Sequence, residues 1–514
     1  MVVLSPVSQT RTIHSFRSRE MGEYGSSRGE PAGSRGPLTK RNPLLDNGLP
    51  RNGLRGTPIE SDLDAARSSL MRILPFRGYR YNRDRIPNLD DVISLPYDQF
   101  KGSRDDRFHQ RHPYNIAHLI MNPETSEDSP AWNRYTRSKA LLDQWMEEAI
   151  FLQDDHPGIY PYYQDFPLSG GTTVTRKGFI ALGEVSDYSQ RIVRPHERTM
   201  AKPKQDRLEL LRATGVDSGI IFVLYSDPEG EIEGLLDEAT GPHPVMTAAG
   251  PDRMSNRLWQ VSNPTVIARI QRAMQDKPVI IADGHHRYEV AVEFSREAMD
   301  RRSENPAWEH YRFKLFSFVR LESPAIAILP IHRILRHLEG FEPSRFLQQL
   351  ELFFSIEATE VAAGVPPGRL EELLQRMRKR QTAGHAAMGV YLPGLKRLAL
   401  LTFRGESAKN LDWPADKSET WRRLDVSILQ VAILDGILNL GERELAQGDF
   451  VEYVSEAGEA VQKAADPSCQ CVILLNPTPM KQVEAVVEAG DLLPQKTTHF
   501  HPKLMEGLVF AKHL

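Results

Sequence analysis

The fold of this chain is organised around the stretch Pro278-Val279-Ile280-Ile281-Ala282-Asp283-Gly284-His285-His286-Arg287-Tyr288-Glu289-Val290-Ala291-Val292-Glu293-Phe294. The apolar, β-branched run at 279–282 predicts a strand that is buried on both faces. Gly284 permits a tight turn, and Asp283 is a candidate N-cap for the helix that follows. Beyond the turn, apolar residues recur at three- and four-residue spacing, which is typical of a helix packed on a core. The stretch therefore predicts a strand–turn–helix corner.

The first turn of that predicted helix carries His285, His286 and Arg287. The backbone N–H groups of a first helical turn have no partner within the helix, and the helix dipole makes this end positive. Such a position favours an anion, and phosphate is the anion most often bound there. Titratable groups clustered at a helix start are also enriched in active sites. The alternative interpretation is a structural corner whose polar residues face solvent.

A second polar cluster precedes another predicted helix, at 204–213. It runs Arg194-Pro195-His196-Glu197-Arg198-Thr199 and continues to Lys204 and Arg207. Because polar groups from several strand ends commonly converge on one cleft in α/β folds, we expect this cluster to lie beside the 283–287 turn. The alternative is a solvated, charged entry to a helix.

A third candidate site lies near the C-terminus, where Lys496 is followed by the hydroxyl residue Thr497. A lysine with neighbouring hydroxyls can hold a phosphate, although no glycine loop of the P-loop type precedes it. The alternative interpretation is an ordered C-terminal strand.

Several of these motifs carry a resemblance to a known family. The segment Ala282-Asp283-Gly284-His285-His286-Arg287-Tyr288-Glu289-Val290-Ala291 resembles the signature of the bacterial and archaeal family called domain of unknown function 1015. Further features of the chain are similar to that family: Pro96-Tyr97-Asp98, His196-Glu197-Arg198-Thr199, the Pro-x-His-Arg pattern at 330–333, and Pro494-Gln495-Lys496-Thr497-Thr498, where the family usually has serine at 497.

The same corner is similar, more loosely, to the Gly-x-x-Arg-x-x-Ala box of the ParB/sulfiredoxin superfamily. The matching residues are Gly284, Arg287 and, one place late, Ala291. In that superfamily, which includes partition proteins, sulfiredoxin and free-serine kinases, the box lies at a strand–helix corner and holds nucleotide phosphates. The resemblance thus implies a nucleotide at this corner.

Composition narrows the class of protein. The chain has 514 residues, of which 40% are hydrophobic and 26% charged, with a formal net charge of −4. These values are typical of a globular protein and give no whole-chain argument for a nucleic-acid or membrane partner. The only cysteines, Cys469 and Cys471, are too close for a favourable disulfide and too few for zinc, which indicates a reducing compartment. We therefore predict a cytoplasmic protein with a small-molecule substrate.

The predicted fold class is α/β (α+β), with mixed sheets, helices and the ParB/sulfiredoxin-like corner in the N-terminal half. Residues 1–68 are predicted to be a disordered tail, rich in Ser, Gly, Arg and Pro. A transit peptide and an over-long gene start are both open for this tail. We predict an N-terminal α/β domain at 69–336 and a second α/β domain at 337–514. Within them, 71–81 is expected to be a strand, 226–256 a connecting loop or an irregular hairpin, and 425–438 a helix.

The functional hypothesis is a phosphate-binding enzyme that transfers a phosphoryl group between a nucleotide and a small metabolite such as an amino acid. Mg²⁺ and a nucleotide are the expected cofactors, with Asp283 holding Mg²⁺ or a substrate hydroxyl. The predicted catalytic residues are Asp283, His285, His286, Glu289, His196 and Glu197. The predicted phosphate- or nucleotide-binding residues are Gly284, Arg287, Arg198, Lys204, Arg207, Lys496 and Thr497.

Two alternatives stay open. A metal-dependent hydrolase or phosphatase would use His285 and Glu289, which are four residues apart on one helical face, together with His196 and Glu197. A ParB-like DNA- or protein-binding module would act without catalysis, but no basic patch or clear helix-turn-helix supports nucleic-acid binding. The sequence leaves the direction of transfer, the metal requirement and the oligomeric state open.

Overall fold

The computed structural model describes residues 71–100, 106–168, 171–199, 201–251, 254–301, 305–361, 364–447 and 449–513. All of these residues belong to one compact unit. The predicted tail at 1–68 lies outside the described residues.

Strands make up five sheets within the described residues. In chain order they are β1 (Ile73–Leu74), β2 (Tyr79–Tyr81), β3 (Phe151–Gln153), β4 (Tyr160–Pro167), β5 (Thr173–Glu184), β6 (Val193–Arg194), β7 (Val216–Asp217), β8 (Ile221–Tyr225), β9 (Met246–Ala249), β10 (Ser255–Leu258), β11 (Val279–Asp283), β12 (Phe313–Arg320), β13 (Ala327–Leu329), β14 (His332–Arg336), β15 (Phe354–Glu360), β16 (Ala387–Leu392), β17 (Arg397–Phe403), β18 (Val451–Val454), β19 (Cys469–Leu475), β20 (His499–His501) and β21 (Ala511–Lys512).

Helices lie between the strands along the whole described chain. The α-helices are α1 (Asp106–His109), α2 (Ala117–Ile120), α3 (Arg134–Glu147), α4 (Ala201–Thr214), α5 (Glu231–Ala239), α6 (Pro264–Met274), α7 (His285–Asp300), α8 (Pro343–Leu350), α9 (Pro367–Thr382), α10 (Glu419–Arg422), α11 (Asp425–Ile428), α12 (Glu442–Gln447), α13 (Ala457–Lys463) and α14 (Met480–Glu488). Short 3-10 helices occur at Tyr97–Gln99, Tyr188–Gln190, Pro306–Arg312, Pro393–Leu395 and Gly405–Asn410, and a π-helix spans Leu429–Asp435.

The largest sheet has nine strands and contains the corner predicted from the sequence. Its order is β6-β11-β8-β12-β5-β4-β10-β9, with β1 paired to β5. The pairs β11–β6 and β12–β8 are parallel and the other pairs are antiparallel. Alternate residues of β8 pack into two different hydrophobic clusters, so this strand is buried on both faces. A continuous apolar sequence is the expected signature of such a strand.

The second large sheet has six antiparallel strands, in the order β15-β17-β16-β19-β14-β18. The free thiols Cys469 and Cys471 both lie on β19, where they are buried. With helices packed on two mixed or antiparallel sheets, the protein is a mixed α/β protein, and the predicted fold class is confirmed.

The C-terminal segment, residues 491–513, returns to strands that precede residue 337 in the chain. Strand β20 pairs with β13, and β21 pairs with β7. Isolated bridges join Glu197 to Leu493 and Ser94 to Glu506. The segment therefore places late residues beside the predicted corner, while the domain division at 337 stays a prediction.

Two predicted elements differ from the structure. The connecting loop or irregular hairpin predicted at 226–256 contains a regular helix, α5, because Ile232, Leu235 and Leu236 form a buried stripe at helical spacing. Its end does form a hairpin, in which β9 pairs with β10. The predicted strand at 71–81 is divided into β1 and β2 around Pro75, which lacks a backbone donor. The helix predicted at 425–438 is present as α11 followed by the π-helix, which ends at Asp435.

Candidate functional site

The predicted corner is present, with one change in its cap. Strand β11 ends at Asp283, Gly284 occupies the N-cap position at φ 94°, and α7 begins at His285. No side chain caps the helix. The prediction that Asp283 is the N-cap was wrong, because its carboxylate is bound elsewhere. The first turn of α7 therefore has N–H groups without a side-chain cap, as an anion site at a helix start requires.

The carboxylate of Asp283 is held by two cations. Lys503 contacts Oδ1, and Arg287 Nη2 donates to Oδ2 at 2.6 Å. Burial alone would raise the pKa of Asp283, but Lys503 and Arg287 outweigh burial and lower that pKa. Asp283 is thus ionised, and both of its oxygens are engaged by protein cations. Because both oxygens are already bound, this geometry gives Asp283 a structural role. It leaves neither oxygen without a cation partner for the Mg²⁺ contact that the sequence predicted.

Arg287 is also engaged on its other side. Its side chain is 6% exposed, and Nη1 donates to the carbonyl oxygen of Ile220. Glu506 lies 3.6 Å from the same nitrogen, and burial raises the pKa of Glu506 to about 8. Since Glu506 is then largely protonated near pH 7, the main ion pair of Arg287 is with Asp283. Arg287 thus lies between the ionised carboxylate of Asp283 and the carboxyl group of Glu506.

A pair of histidines lies against the turn. The backbone N–H of His196 donates to Nε2 of His285 at 3.3 Å. The two rings pack edge to face, with their centroids 4.6 Å apart. Burial lowers the pKa of both histidines below the ordinary value of 6.5. Both rings are therefore neutral near pH 7, which is the protonation state that a general base requires.

His196 has a fixed tautomer. Its Nδ1 lies 2.5 Å from the carbonyl oxygen of Ile281, and a carbonyl can only accept, so Nδ1 carries the hydrogen. The lone pair on Nε2 then accepts from the hydroxyl of Thr498 at 2.7 Å. Thr498 therefore donates to a neutral, oriented imidazole, an arrangement found where hydroxyl groups are activated.

Acidic and basic side chains surround the half-buried His286. Glu289 accepts from Lys204 Nζ at 2.8 Å and from Thr199 Oγ1 at 2.7 Å. Glu197 accepts from the backbone N–H of Lys496 at 3.0 Å. Burial lowers the pKa of His286, and Glu289 partly opposes that shift. The exposed Lys496 also acts on His286, and Glu197, His286, Glu289 and Lys496 together form the rim of the site. Arg198 is exposed too and lies near Asp416.

The structure separates the remaining predicted residues from the rim. Arg207 stacks over Tyr97 at 4.3 Å and donates to the carbonyl oxygen of Ile120 at 2.8 Å. With Arg287 and Glu506 it lines a cavity of about 40 Å³ on the far side of Arg287. Thr497 is buried and donates its hydroxyl to the carbonyl oxygen of Pro494.

Sequence reasoning missed three residues of this site. Thr498, Lys503 and Glu506 all lie on the returning C-terminal segment. Only Thr498 had a signal, since it follows Lys496-Thr497 in the motif that resembles the family. In the described part of the chain, no group of three or more His, Cys, Asp and Glu side chains could hold a metal ion. None of the helices described there is both long and apolar enough to cross a bilayer.

These features define a mixed α/β protein with a strand–turn–helix corner whose helix start has no side-chain cap. The family model described as "Protein of unknown function (DUF1015)" matches residues 73–427, and the chain belongs to this family. Among curated proteins, none matches the chain by sequence.

Solved structures of similar fold have low sequence identity to this chain. A conserved hypothetical protein from Pyrococcus furiosus is 10% identical, with a TM-score of 0.29 and coverage of 62% of this chain and 92% of that one. A free serine kinase (E30A mutant) in complex with AMP is 13% identical, with a TM-score of 0.28 and coverage of 60% and 83%. SbnI with a C-terminal truncation, from Staphylococcus aureus, is 12% identical, with a TM-score of 0.29 and coverage of 64% and 85%.

Proposed function

We propose that the protein is an enzyme that transfers a phosphoryl group between a nucleotide and a small metabolite at the Gly284 corner. One observation carries this proposal: the uncapped first turn of α7 meets a neutral, oriented histidine, His196, whose Nε2 accepts from a hydroxyl. The helix start supplies N–H donors for a phosphate. The histidine supplies a base for the attacking oxygen. Both are needed in phosphoryl transfer, which depends on positioning and electrostatic stabilisation.

The charged groups of the corner include cations that an anion can meet. Lys503 and Arg287 both hold Asp283, and Glu506 lies beside Arg287. Lys496 adds an exposed cation near His286, and Glu197 and Glu289 are carboxylates that are already hydrogen-bonded. A nucleoside di- or triphosphate is the proposed donor because its phosphoanhydride supplies a good leaving group.

Mg²⁺ belongs to the proposal as a companion of the nucleotide. Magnesium is commonly bound through one or two carboxylates together with substrate phosphates, without an all-protein cage. Glu197 and Glu289 are the partly exposed carboxylates of the rim that fit this role. The metal-dependent hydrolase has less support, because the histidine ligands that it would need, Nε2 of His196 and Nε2 of His285, already accept hydrogen bonds.

A thermal-shift titration tests the proposal. Full-length protein is heated with AMP, ADP, ATP or inorganic phosphate, each with and without Mg²⁺. A ligand of the folded state raises the melting temperature in proportion to the logarithm of its concentration over Kd. The double variant Arg198→Ala/Lys496→Ala should bind at least about tenfold more weakly, as expected when charge-assisted hydrogen bonds to phosphate are lost. Lys139→Ala, which removes an exposed lysine of α3, is the matched control.

Stabilisation of the wild type and of Lys139→Ala, with a weaker response of the double variant, would support the proposal. If no phosphate compound changes the melting temperature of the wild type, the corner is structural and the proposal fails. A response that appears only with a divalent metal alone would favour the hydrolase instead.

A further inference from the structure

Thr498 has a hydrogen-bond geometry that differs from that of the neighbouring threonine. Its hydroxyl donates to Nε2 of His196 at 2.7 Å, and Nδ1 of the same ring donates to the backbone carbonyl of Ile281. A nucleophile, a base within hydrogen-bond reach and a third group that orients the base are the features of covalent catalysis by a side chain. In this protein a backbone carbonyl takes the orienting position that a carboxylate takes in many other enzymes.

The surroundings of His196 keep it in the form that can accept a proton. The side chain is 1% exposed, and its ring packs edge to face against His285 and Phe500. Burial lowers the pKa of His196, although Glu197 and the carbonyl of Ile281 oppose this shift. The partly exposed Thr498 therefore donates to a ring that is neutral near pH 7.

The pair also lies next to the proposed phosphate site. His196 contacts His285, the first residue of α7, through both its backbone N–H and its ring. The carbonyl that orients His196 belongs to β11, the strand that leads into the Gly284 turn. A phosphate bound at the start of α7 would therefore be adjacent to the Thr498–His196 pair.

We propose that Thr498 is a catalytic nucleophile that carries the phosphoryl group as a phosphothreonine between donor and acceptor. This inference rests on the proposed function and specifies its pathway as two successive transfers. In the first transfer, Thr498 Oγ1 attacks the terminal phosphorus of a nucleoside di- or triphosphate, and its proton moves to His196 Nε2. The new O–P bond forms as the phosphoanhydride bond breaks, and the shorter nucleotide leaves with the bonding electron pair.

The second transfer reverses these roles. A hydroxyl of the acceptor metabolite, or water, attacks the phosphorus of phosphothreonine. Before this step His196 releases the proton of the first transfer to solvent. The O–P bond to Thr498 breaks, and neutral His196 takes the proton of the acceptor hydroxyl and passes it to Thr498 Oγ1. The enzyme returns to its starting state, and no oxidant or reductant is consumed.

Thr497 offers a matched control. It is 4% exposed, and its hydroxyl donates to the carbonyl oxygen of Pro494. It precedes Thr498 in the same loop but has no imidazole partner. Thr497→Val and Thr498→Val therefore remove the same group from adjacent positions, and only the second change removes the proposed nucleophile.

An isotope-exchange experiment tests the inference without knowledge of the acceptor. Full-length protein is incubated with Mg²⁺ and either ATP with labelled ADP, or ADP with labelled AMP, and no acceptor is added. A phosphoenzyme predicts exchange of label into the longer nucleotide, because the first transfer is reversible on its own. Acid-quenched samples are digested in parallel and searched for phosphothreonine by mass spectrometry.

We expect exchange and phosphothreonine at 498 in the wild type and in Thr497→Val. Thr498→Val should lose at least 100-fold of the exchange rate, and Thr498→Ser should retain a measurable part of it. Exchange that continues unchanged in Thr498→Val would overturn the inference. Nucleotide binding in the thermal-shift titration without any exchange in the wild type would also overturn it, while leaving the proposed function intact. Failure of every nucleotide to bind would remove both.

Discussion

Lys503 and Arg287 hold the carboxylate of Asp283 from two sides, although Lys503 lies 220 residues further along the chain. Arg287 is one helical turn away from Asp283, so its contact is local. Lys503 comes from the returning C-terminal segment, so its contact joins that segment to the end of β11. The ion pairs therefore fix the Gly284 turn to two different parts of the fold.

Loss of Lys503 should destabilise the protein. In Lys503→Met, the buried carboxylate of Asp283 loses one of its two cations, and the side chains of the pair are only 12% and 14% exposed. Removal of one partner from a buried ion pair commonly costs about 3 kcal/mol or more. The free energy of unfolding in urea measures this loss, and Lys503→Arg should recover most of it. Equal stability of Lys503→Met and wild type would contradict a structural role for the pair.

Arg287→Ala should cost at least as much stability as Lys503→Met. The truncation leaves Asp283 with a single cation and the carbonyl oxygen of Ile220 without its donor. We expect a loss of about 3–5 kcal/mol, because a buried charge and a buried acceptor are uncovered together. Urea denaturation of Arg287→Ala and Arg287→Lys measures it. If Arg287→Ala instead keeps its stability and loses only phosphate affinity, Arg287 binds the ligand directly.

The corner itself could be predicted from the sequence, because its signals are local. A continuous β-branched run, a glycine and a helical stripe lie within seventeen residues, and each specifies the backbone conformation of its own position. The approach of His196 to the 283–287 turn could also be predicted, because polar groups at the ends of neighbouring strands converge. The function of Arg287 was less predictable, because an arginine in a first helical turn can point towards a ligand or back into the protein, and here it points back.

The late residues of the site could not be predicted because their contacts are non-local. Nothing near Lys503 in the sequence indicates a carboxylate partner, and its distance from Asp283 along the chain exceeds the reach of any periodicity. Thr498 looked equivalent to Thr497 in the motif, and only the geometry shows that one hydroxyl meets a histidine and the other a carbonyl. Similarly, α5 could not be recognised from the sequence, because its buried stripe is short and is flanked by glycine, proline and acidic residues.

Acid should destabilise the protein through His332. This side chain is 1% exposed, its Nδ1 accepts from the backbone N–H of Leu475 at 3.1 Å, and burial lowers its pKa from 6.5 to about 4. The unfolded chain therefore binds the proton first as the pH falls. The stability contributed by the neutral ring is present above pH 6.5 and is lost as the pH falls towards 4, by up to about 3 kcal/mol.

Urea denaturation of wild type and His332→Asn at pH 7 and pH 4.5 measures this contribution. The asparagine carbonyl can still accept from Leu475 but does not titrate in this range. Between pH 7 and pH 4.5, the free energy of unfolding of His332→Asn should therefore fall by about 2 kcal/mol less than that of wild type. Identical losses would mean that His332 does not carry the acid sensitivity. The half-buried His499, whose pKa is also lowered to about 4, titrates in both proteins and cancels in the comparison.

Gly284→Ala should weaken phosphate binding more than its effect on backbone conformation explains. Gly284 has a φ of 94°, and a Cβ there would lie 3.1–3.2 Å from the guanidinium of Arg287. Gly340, at a φ of 62°, has nothing within 4 Å of a Cβ, so Gly340→Ala is the matched control.

Each substitution should cost about 1–2 kcal/mol of stability from the left-handed backbone, and Gly284→Ala should cost somewhat more through the contact with Arg287. Only Gly284→Ala presses a methyl group against the guanidinium that holds the turn and so displaces the N–H groups at the start of α7. Only this variant should therefore raise the Kd for the tightest-binding nucleotide, by at least about tenfold on loss of a charge-assisted hydrogen bond. Isothermal titration calorimetry of both variants at a temperature where both are folded measures this difference. Equal nucleotide affinity in the two variants would place the phosphate away from the Gly284 turn.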